Sequence, residues 1–407
     1  MINHLRNFNQ GRFDLITGSA QSGKSNKLIT LVKTFVMGKK ELNNDLLVVK
    51  HLYDDKETRC KISSFKKESI NAIECGTADE LVDLINKNIK YVVISGVHLF
   101  DKDIVDLCDE LVMSNRIIIA SGINLTYEGK PYGSMAELMA IADNYELMVA
   151  RCGFCDRYNA FRTQRIVKDK KEIFEPRCLV HYEFEGRPDY NPYLTNQEPS
   201  LEAIIGPMFS GKTDLLHTRH SQIMNKDRVA IFKWIRDSRY STDKIVSHDK
   251  DDLPSRNITN TGDIKNYLEK NKQINLVMID EIQFIQGSYE LIKELLYKGY
   301  RIILTGLKRD FRRKPFGYPN SEISKILTLA TEITNMYASC YNPKCGHPAT
   351  ETQRIIKENG RVRPAGFNDP IVLVGGKESY KAACRLHYKI KDAPTNKYSN
   401  KFDKVKI

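Results

Sequence analysis

No stretch of this sequence approaches the roughly 18 consecutive apolar residues that a membrane-spanning helix requires. The opening MINHLRNFNQGRFDLITG runs into a strand-like segment without a signal-type apolar core. No membrane partner is expected, and the cytoplasm is the expected compartment. A disorder-type composition is absent too: 41% hydrophobic and 28% charged residues belong to a globular chain, and 407 residues suffice for two domains with separate cores. There is no helicase-type motif set and no arginine-finger context, which argues against a nucleic-acid-dependent ATPase despite a net charge of +12. The lysines are spread along the chain and through polar stretches such as TNKYSNKFDK. They read as general surface that also steers anionic nucleotides, with no nucleic-acid partner.

What the chain does contain is a phosphate-binding loop, twice. GSAQSGKS (residues 18–25) and GPMFSGKT (residues 206–213) both match G-x-x-x-x-G-K-[ST]. In the second, Gly206 and Gly211 let the backbone curl so that successive N–H groups and the next helix N-terminus face phosphate oxygens. Lys212 supplies a charge at the β and γ phosphates, and Thr213 offers a hydroxyl to Mg²⁺. About 70 residues on, the apolar strand LVMID ends in Asp280 and Glu281. A carboxylate there holds Mg²⁺, and its neighbour can accept a proton from an attacking group. The matching place in the first half reads YVVISG, so Ser95 and Gly96 stand where both carboxylates would be.

Four motif pairs keep one register. The interval is 188 residues from Gly18 to Gly206, 185 from Ser95 to Asp280, 184 from Tyr127 to Phe311 and 188 from Cys152 to Cys340. Each half alternates β-rich runs (LLVVK, YVVIS, RIIIA; RVAIFKW, LVMID, RIILT) with amphipathic stretches, which predicts a parallel sheet flanked by helices. Each half then ends in a cysteine cluster: Cys152, Cys155, Cys178 and His181 in the first, Cys340, Cys345, Cys384 and His387 in the second. Such spacings read as structural zinc sites. The predicted architecture is α/β: two tandem P-loop NTPase domains, each followed by a small zinc-binding lid domain. The boundaries are residues 1–185, a Pro-rich linker at 186–200, a second domain at 201–391 and a mobile tail at 392–407.

In order, GPMFSGKT, DSRYS (residues 237–241), DEIQF (280–284), GLKRDFRRKPFG (306–317), a cysteine cluster and VGGKESYKAACRLHY (374–388) resemble the type II thymidine kinases. The resemblance spans essentially residues 198–390. It implies ATP-dependent phosphorylation of the 5′ hydroxyl of thymidine, and of deoxyuridine, in nucleotide salvage, with ATP, Mg²⁺ and structural Zn²⁺ as cofactors. It further implies that Glu281 is the general base and that Gly206, Ser210, Gly211, Lys212, Thr213, Asp237 and Arg239 contact the triphosphate. Mg²⁺ would sit on Thr213 and Asp280. Thymine would lie among Met208, Phe284, Leu307, Phe311 and Phe316, with Thr352, Ile371, Leu373, Gly375 and Tyr380 closing the pocket. The resemblance also implies feedback binding of dTTP and an assembly that is a homo-oligomer or a pseudo-dimer of the two halves. Two departures stand out: Lys308 occupies a position where the family usually has Asp, and Cys340-x4-Cys345 replaces the usual x2 spacing, with His347 close by.

The first half aligns SGINLTYEGKPYG (residues 121–133) with the second half's lid but has no GG-x-x-x-Y element, and its Cys155 to Cys178 interval is 23 positions against 39. It is expected to be a degenerate copy, resembling the tandem arrangement of kinetoplastid protists. Its role is expected to be chiefly structural, with Gly18, Gly23, Lys24 and Ser25 a candidate nucleotide site without turnover. The rival reading of the whole chain is a non-catalytic nucleotide sensor.

Overall fold

The computed structural model describes residues 10–37, 45–54, 60–64, 67–194, 197–234, 244–246, 252–358, 361–373, 376–399 and 401–404. The chain forms two compact units: Met1–Phe184 together with Pro394–Ile407, and Glu185–Ala393.

The first unit is built on strands β1 (Arg12–Gly18), β2 (Leu46–His51), β3 (Ile73–Cys75), β4 (Tyr91–Ser95), β5 (Ile117–Ile123) and β6 (Asn144–Met148). They form one sheet in the order β3-β2-β4-β5-β1-β6, parallel throughout. Every residue of β1 and β4 is buried, the pattern of parallel strands covered on both faces. Helix α1 (Lys24–Met37) lays Leu28, Ile29 and Val32 over Ile16, Val93 and Ile119. Helices α2 (Ala78–Leu84), α3 (Asp103–Met113) and α4 (Met135–Ile141) complete the layers. Thr77 caps α2 by accepting the Glu80 N–H.

The second unit repeats the plan. Its strands are β7 (Ser200–Ile205), β8 (Val229–Trp234), β9 (Arg256–Ile258), β10 (Leu276–Asp280), β11 (Arg301–Gly306) and β12 (Glu332–Asn335), in the order β9-β8-β10-β11-β7-β12, again all parallel. Helices α5 (Lys212–Ser221), α6 (Thr261–Lys270), α7 (Ser288–Tyr297) and α8 (Glu322–Leu329) flank it. Position by position, the two sheets have the same topology, so the register read from four motif pairs extends to the whole layer. The apolar runs of the sequence all appear as strands, because a strand buried on both faces must be apolar along its length.

Each small lid domain is antiparallel. The first unit uses a hairpin, Ala160–Lys168 with Lys171–Cys178, turned by Asp169 and Lys170, both with left-handed φ. The second unit uses Glu351–Glu358 between Arg361–Pro364 and Tyr380–Ala383.

The stretch expected to be a Pro-rich linker is grouped with the second unit, where Gln197 Nε2 donates to the carbonyls of Asn275 (2.9 Å) and Gly299 (3.0 Å). The stretch expected to be a mobile tail makes contacts as well. Residues Pro394–Ile407 are part of the first unit, where Tyr398 is 1% exposed and its hydroxyl donates to Asp79 (2.9 Å). Lys397 bridges Asp79 and Asp103, and buried Arg116 donates to the Asp403 carbonyl and lies over the Phe402 ring. The low average apolarity of the tail hid two aromatic anchors.

Candidate active site and zinc centres

In the second unit the phosphate loop connects β7 to α5. Gly211 at φ 79° and Phe209 at φ 66° give the curl that turns N–H groups inward. At Gly206 any side chain is excluded, since a Cβ would lie 2.6 Å from the Met336 carbonyl oxygen. Lys212 is buried at the first turn of α5, and its Nζ donates to the Pro207 carbonyl at 2.8 Å. Burial lowers its pKa, while Glu281 and Asp280 oppose that effect. Ser210 closes the loop by donating to the same carbonyl (2.9 Å). Thr213 follows Lys212 at the helix start.

Asp280 is the last residue of β10, opposite Lys233 of β8, and is buried. Its carboxyl is pushed up to about 7, first by burial and then by Glu281, against Thr305, Lys212 and Lys233. The Thr305 hydroxyl donates to Asp280, and the Glu281 N–H donates to the same hydroxyl oxygen at 3.3 Å. Glu281 itself sits in the left-handed region, φ 57° and ψ 45°, where a non-glycine residue is strained. That conformation takes Glu281 out of the alternation of β10, and both carboxylates act electrostatically on Lys212. Gln283 Nε2 donates to Glu281, and Gln283 Oε1 accepts the Leu307 N–H at 3.1 Å. The acid is thereby tied to the first residues of the lid.

Several of the residues expected around thymine contact one another. Phe284 and Phe316 meet edge to face at 5.4 Å. Met208 N–H donates to Thr352 (3.1 Å), and Tyr380 donates to the Leu373 carbonyl (2.9 Å). Leu307 is held by Gln283, Phe311 is buried under the Arg354 guanidinium, and Ile371 is half-buried. Leu373 is exposed. Asp237, Arg239 and Gly375 lie outside the described residues.

Three functional elements escaped the sequence reading. Thr305 and Gln283 orient the two carboxylates; both lie in or beside recognised motifs, but nothing in their spacing assigns a partner. The third is Glu351, whose buried carboxylate binds Arg309 (3.0 Å) and lies 3.7 and 3.6 Å from Arg313 and Arg385. Two of these arginines are on the lid, so Glu351 fastens the lid to the zinc domain. Buried Lys308 adds a further positive charge to this region.

The first unit keeps the loop and its conformations. Lys24 Nζ donates to the carbonyls of Ser19 (2.5 Å) and Gly18 (3.3 Å), and burial lowers its pKa to about 8 against Asp54. Gly23 has the left-handed φ of Gly211, and Gly18 has φ 154°. Ala20 N–H donates to Thr163 (2.9 Å), as Met208 does to Thr352. Gly96 stands at φ 74° and ψ 30°, the conformation of Glu281. Ser95, the counterpart of Asp280, donates its hydroxyl to Asp54 at 2.6 Å. The sequence reading found no carboxylate here; Asp54 was missed. A signal existed: Lys50 and Lys233 occupy the same register against Ser95 and Asp280, and counting four residues on from each reaches Asp54 and Asp237.

Both cysteine clusters converge. The candidate ligand atoms of Cys152, Cys155, Cys178 and His181, and those of Cys340, Cys345, Cys384 and His387, lie within 4.8 Å of one another. Three thiols and one imidazole fit a closed structural Zn²⁺ site. His181 presents Nδ1 to Cys178 (3.1 Å) and His387 presents Nδ1 to Cys384 (3.2 Å), while Asn342 Nδ2 lies 2.6 Å from His387 Nε2. Burial pushes the Cys152 thiol up, but the backbone N–H groups of Cys178 and Cys155 outweigh it and bring the pKa to about 7. His347 approaches Cys345 (3.4 Å) but stands outside the converging four, so the x4 spacing still brings the Cys345 thiol among the candidate ligands.

Among the described residues no helix is long and apolar enough to cross a membrane. The sequence pattern of the thymidine kinase family matches twice, over residues 11–175 and again over 199–388. Each match contains one phosphate loop and one parallel sheet; the second also takes in its whole cysteine cluster, the first only Cys152 and Cys155, and together they cover most of the sequence. The chain belongs to the thymidine kinase family.

Proposed function

We propose that the second unit transfers the γ-phosphoryl group of ATP to the 5′ hydroxyl of thymidine, and of deoxyuridine, giving the nucleoside monophosphate and ADP. The observation that carries this reading is the pair Asp280 and Glu281, with Glu281 in the left-handed backbone region and both carboxylates acting electrostatically on Lys212. The first unit has no such pair at the end of β4.

Phosphoryl transfer asks little covalent chemistry of a protein; positioning and charge stabilisation supply most of the rate. The triphosphate would lie along the N–H groups of residues 206–213, with Lys212 leaving the Pro207 carbonyl to donate to it. Thr213 and Asp280 would hold Mg²⁺, which when bound neutralises charge on the phosphates. Asp237 and Arg239 are assigned to the same triphosphate. Glu281, oriented by Gln283, would accept the proton of the 5′ hydroxyl as that oxygen attacks. Phe284, Phe316, Met208, Leu307 and Phe311 would enclose thymine, with Thr352, Ile371, Leu373, Gly375 and Tyr380 completing the wall. Because Gln283 bonds both Glu281 and Leu307 N–H, lid position and base orientation change together. The zinc clusters brace the lids and take no part in the transfer, the setting is cytoplasmic nucleotide salvage, and dTTP is the expected feedback ligand of the thymidine pocket.

The test is nucleoside monophosphate formation from thymidine, deoxyuridine and deoxycytidine side by side, in the wild type and in Lys212→Ala and Lys24→Ala. Lys212→Ala should lose at least about 100-fold in kcat, whereas Lys24→Ala should retain turnover. Loss of turnover in Lys24→Ala alone would move the chemistry to the first unit.

A further inference from the structure

The first unit's cleft has lost both strand-end carboxylates, yet a carboxylate occupies it. Asp54, three residues beyond β2, accepts the Ser95 hydroxyl at 2.6 Å. It also fills the room next to Gly96: a Cβ built on Gly96 would lie 2.6 Å from Asp54 Cβ and 3.0 Å from Asp54 Oδ2. Gly96 has the backbone conformation of Glu281. Asp54 thus brings its acid, from a different strand, to the spot from which an acid at position 96 would project. Its charge is felt by Lys24 across the phosphate loop.

The rest of the loop keeps what polyphosphate binding needs. Gly23 is left-handed, Lys24 folds back on the carbonyls of Gly18 and Ser19, and Ser25 follows at the start of the 14-residue helix α1. Buried Lys50 of β2, in register with Ser95, adds a second positive charge to the first unit's strand ends. An independent observation comes from His98. It is 6% exposed, takes the place that Gln283 has in the second unit, and its Nδ1 has no hydrogen-bond partner. That atom would lie 3.2 Å from a Cβ on Gly122, the counterpart of Gly306, and the ring feels the charge of Lys24. A buried polar atom without a partner is destabilising unless a ligand or water satisfies it.

We propose that the first unit is a second, non-transferring nucleotide site, which takes a nucleoside triphosphate with its divalent cation held by Asp54 and Ser25. Asp54 replaces the lost Asp280-type ligand. It does not replace the base, because its Oδ2 is committed to the Ser95 hydroxyl and no acid follows at position 96. The inference rests on the first unit's own residues and is independent of the assignment of catalysis to the second.

Calorimetric titration of the full chain with the non-transferable analogue AMP-PNP and MgCl₂ tests it. The wild type should bind two equivalents per chain, and Lys212→Ala and Lys24→Ala one each. In the Lys212→Ala background, Asp54→Asn should weaken the remaining site at least tenfold with Mg²⁺ and leave binding in EDTA unchanged. Thermal melting without ligand checks that each variant is folded, and Ser95→Ala, which frees Asp54 without removing it, should retain the site. One equivalent in the wild type with none in folded Lys212→Ala would overturn the proposal, as would Mg²⁺-dependent binding unaffected by Asp54→Asn. The two assignments fail separately: turnover follows Lys212 whatever the stoichiometry, and stoichiometry follows Lys24 whatever the turnover.

Discussion

Replacing Glu351 by Gln should be among the most damaging single changes in the second unit. The side chain is 1% exposed, and Arg309 and Arg385 beside it are 4% exposed, so water cannot replace the lost charge. Glutamine has nearly the same shape and can still accept the Thr350 hydroxyl, which donates to Glu351 at 3.1 Å. The substitution therefore isolates charge from packing. It leaves the guanidinium groups of Arg309, Arg313 and Arg385 without their shared carboxylate. Breaking a buried pair by removing one partner costs about 3–5 kcal/mol, because the remaining charge is still desolvated. For a body the size of the Glu185–Ala393 unit, 1 kcal/mol corresponds to about 2–4 °C in Tm, so the unit should melt about 6–20 °C lower. Differential scanning calorimetry of the full chain would resolve this, with the Phe13-to-Val32 core region of the first unit, followed by hydrogen exchange, as an internal control. Since Arg309 and Arg313 belong to the lid, KM for thymidine should also rise at temperatures where the variant is folded. A Tm within about 1 °C of wild type would refute the view that this carboxylate fastens the lid.

Tyr398→Ala should destabilise the first unit by about 3 kcal/mol, the scale for removing a buried aromatic ring, and speed hydrogen exchange in α2 and α3, whose residues Asp79 and Asp103 anchor the tail. Metal analysis should find two zinc ions per chain, with Cys152→Ser and Cys384→Ser each losing one and lowering stability. Gly96→Ala should cost about 1–3 kcal/mol, since its φ of 74° disfavours a side chain and Asp54 occupies the Cβ space. His98 is held neutral by burial, with Lys24 and His51 adding to the effect, and its pKa is lowered to about 3. The unfolded chain, with an ordinary His near 6.5, therefore binds a proton first as pH falls. The first unit should lose up to about 1.4 kcal/mol per pH unit below that value, and His98→Gln should flatten the slope in acid melting curves.

The parallel sheets were legible because strands buried on both faces leave continuous apolar runs, as YVVIS and LVMID do. The cysteine–histidine clusters were legible because four candidate ligands on two short segments must keep close spacing. Asp54 was not read: it lies beyond a strand end in a polar stretch, its one signal was the four-residue step from Lys50 that Asp237 repeats from Lys233, and its contacts are with Ser95 and Gly96, 41 and 42 positions away in sequence. Glu351 was hidden for the same reason, since its three arginines come from the lid and from the segment after Cys384. The tail misled through averaging: Tyr398 and Phe402 are enough to fix a segment that is otherwise polar. Contacts between distant segments carry no local periodicity, and these are what the fold had to supply.

The central claim is that Glu281 accepts the proton of the attacking hydroxyl. Glu281→Gln keeps the shape of the side chain and removes the basicity. The direct measurement is single-turnover dTMP formation by this variant, alongside thymidine binding by calorimetry. The account predicts thymidine affinity within about threefold of wild type and a transfer rate lower by about 100-fold or more, the range of general acid–base contributions. A transfer rate close to wild type with thymidine bound would contradict it.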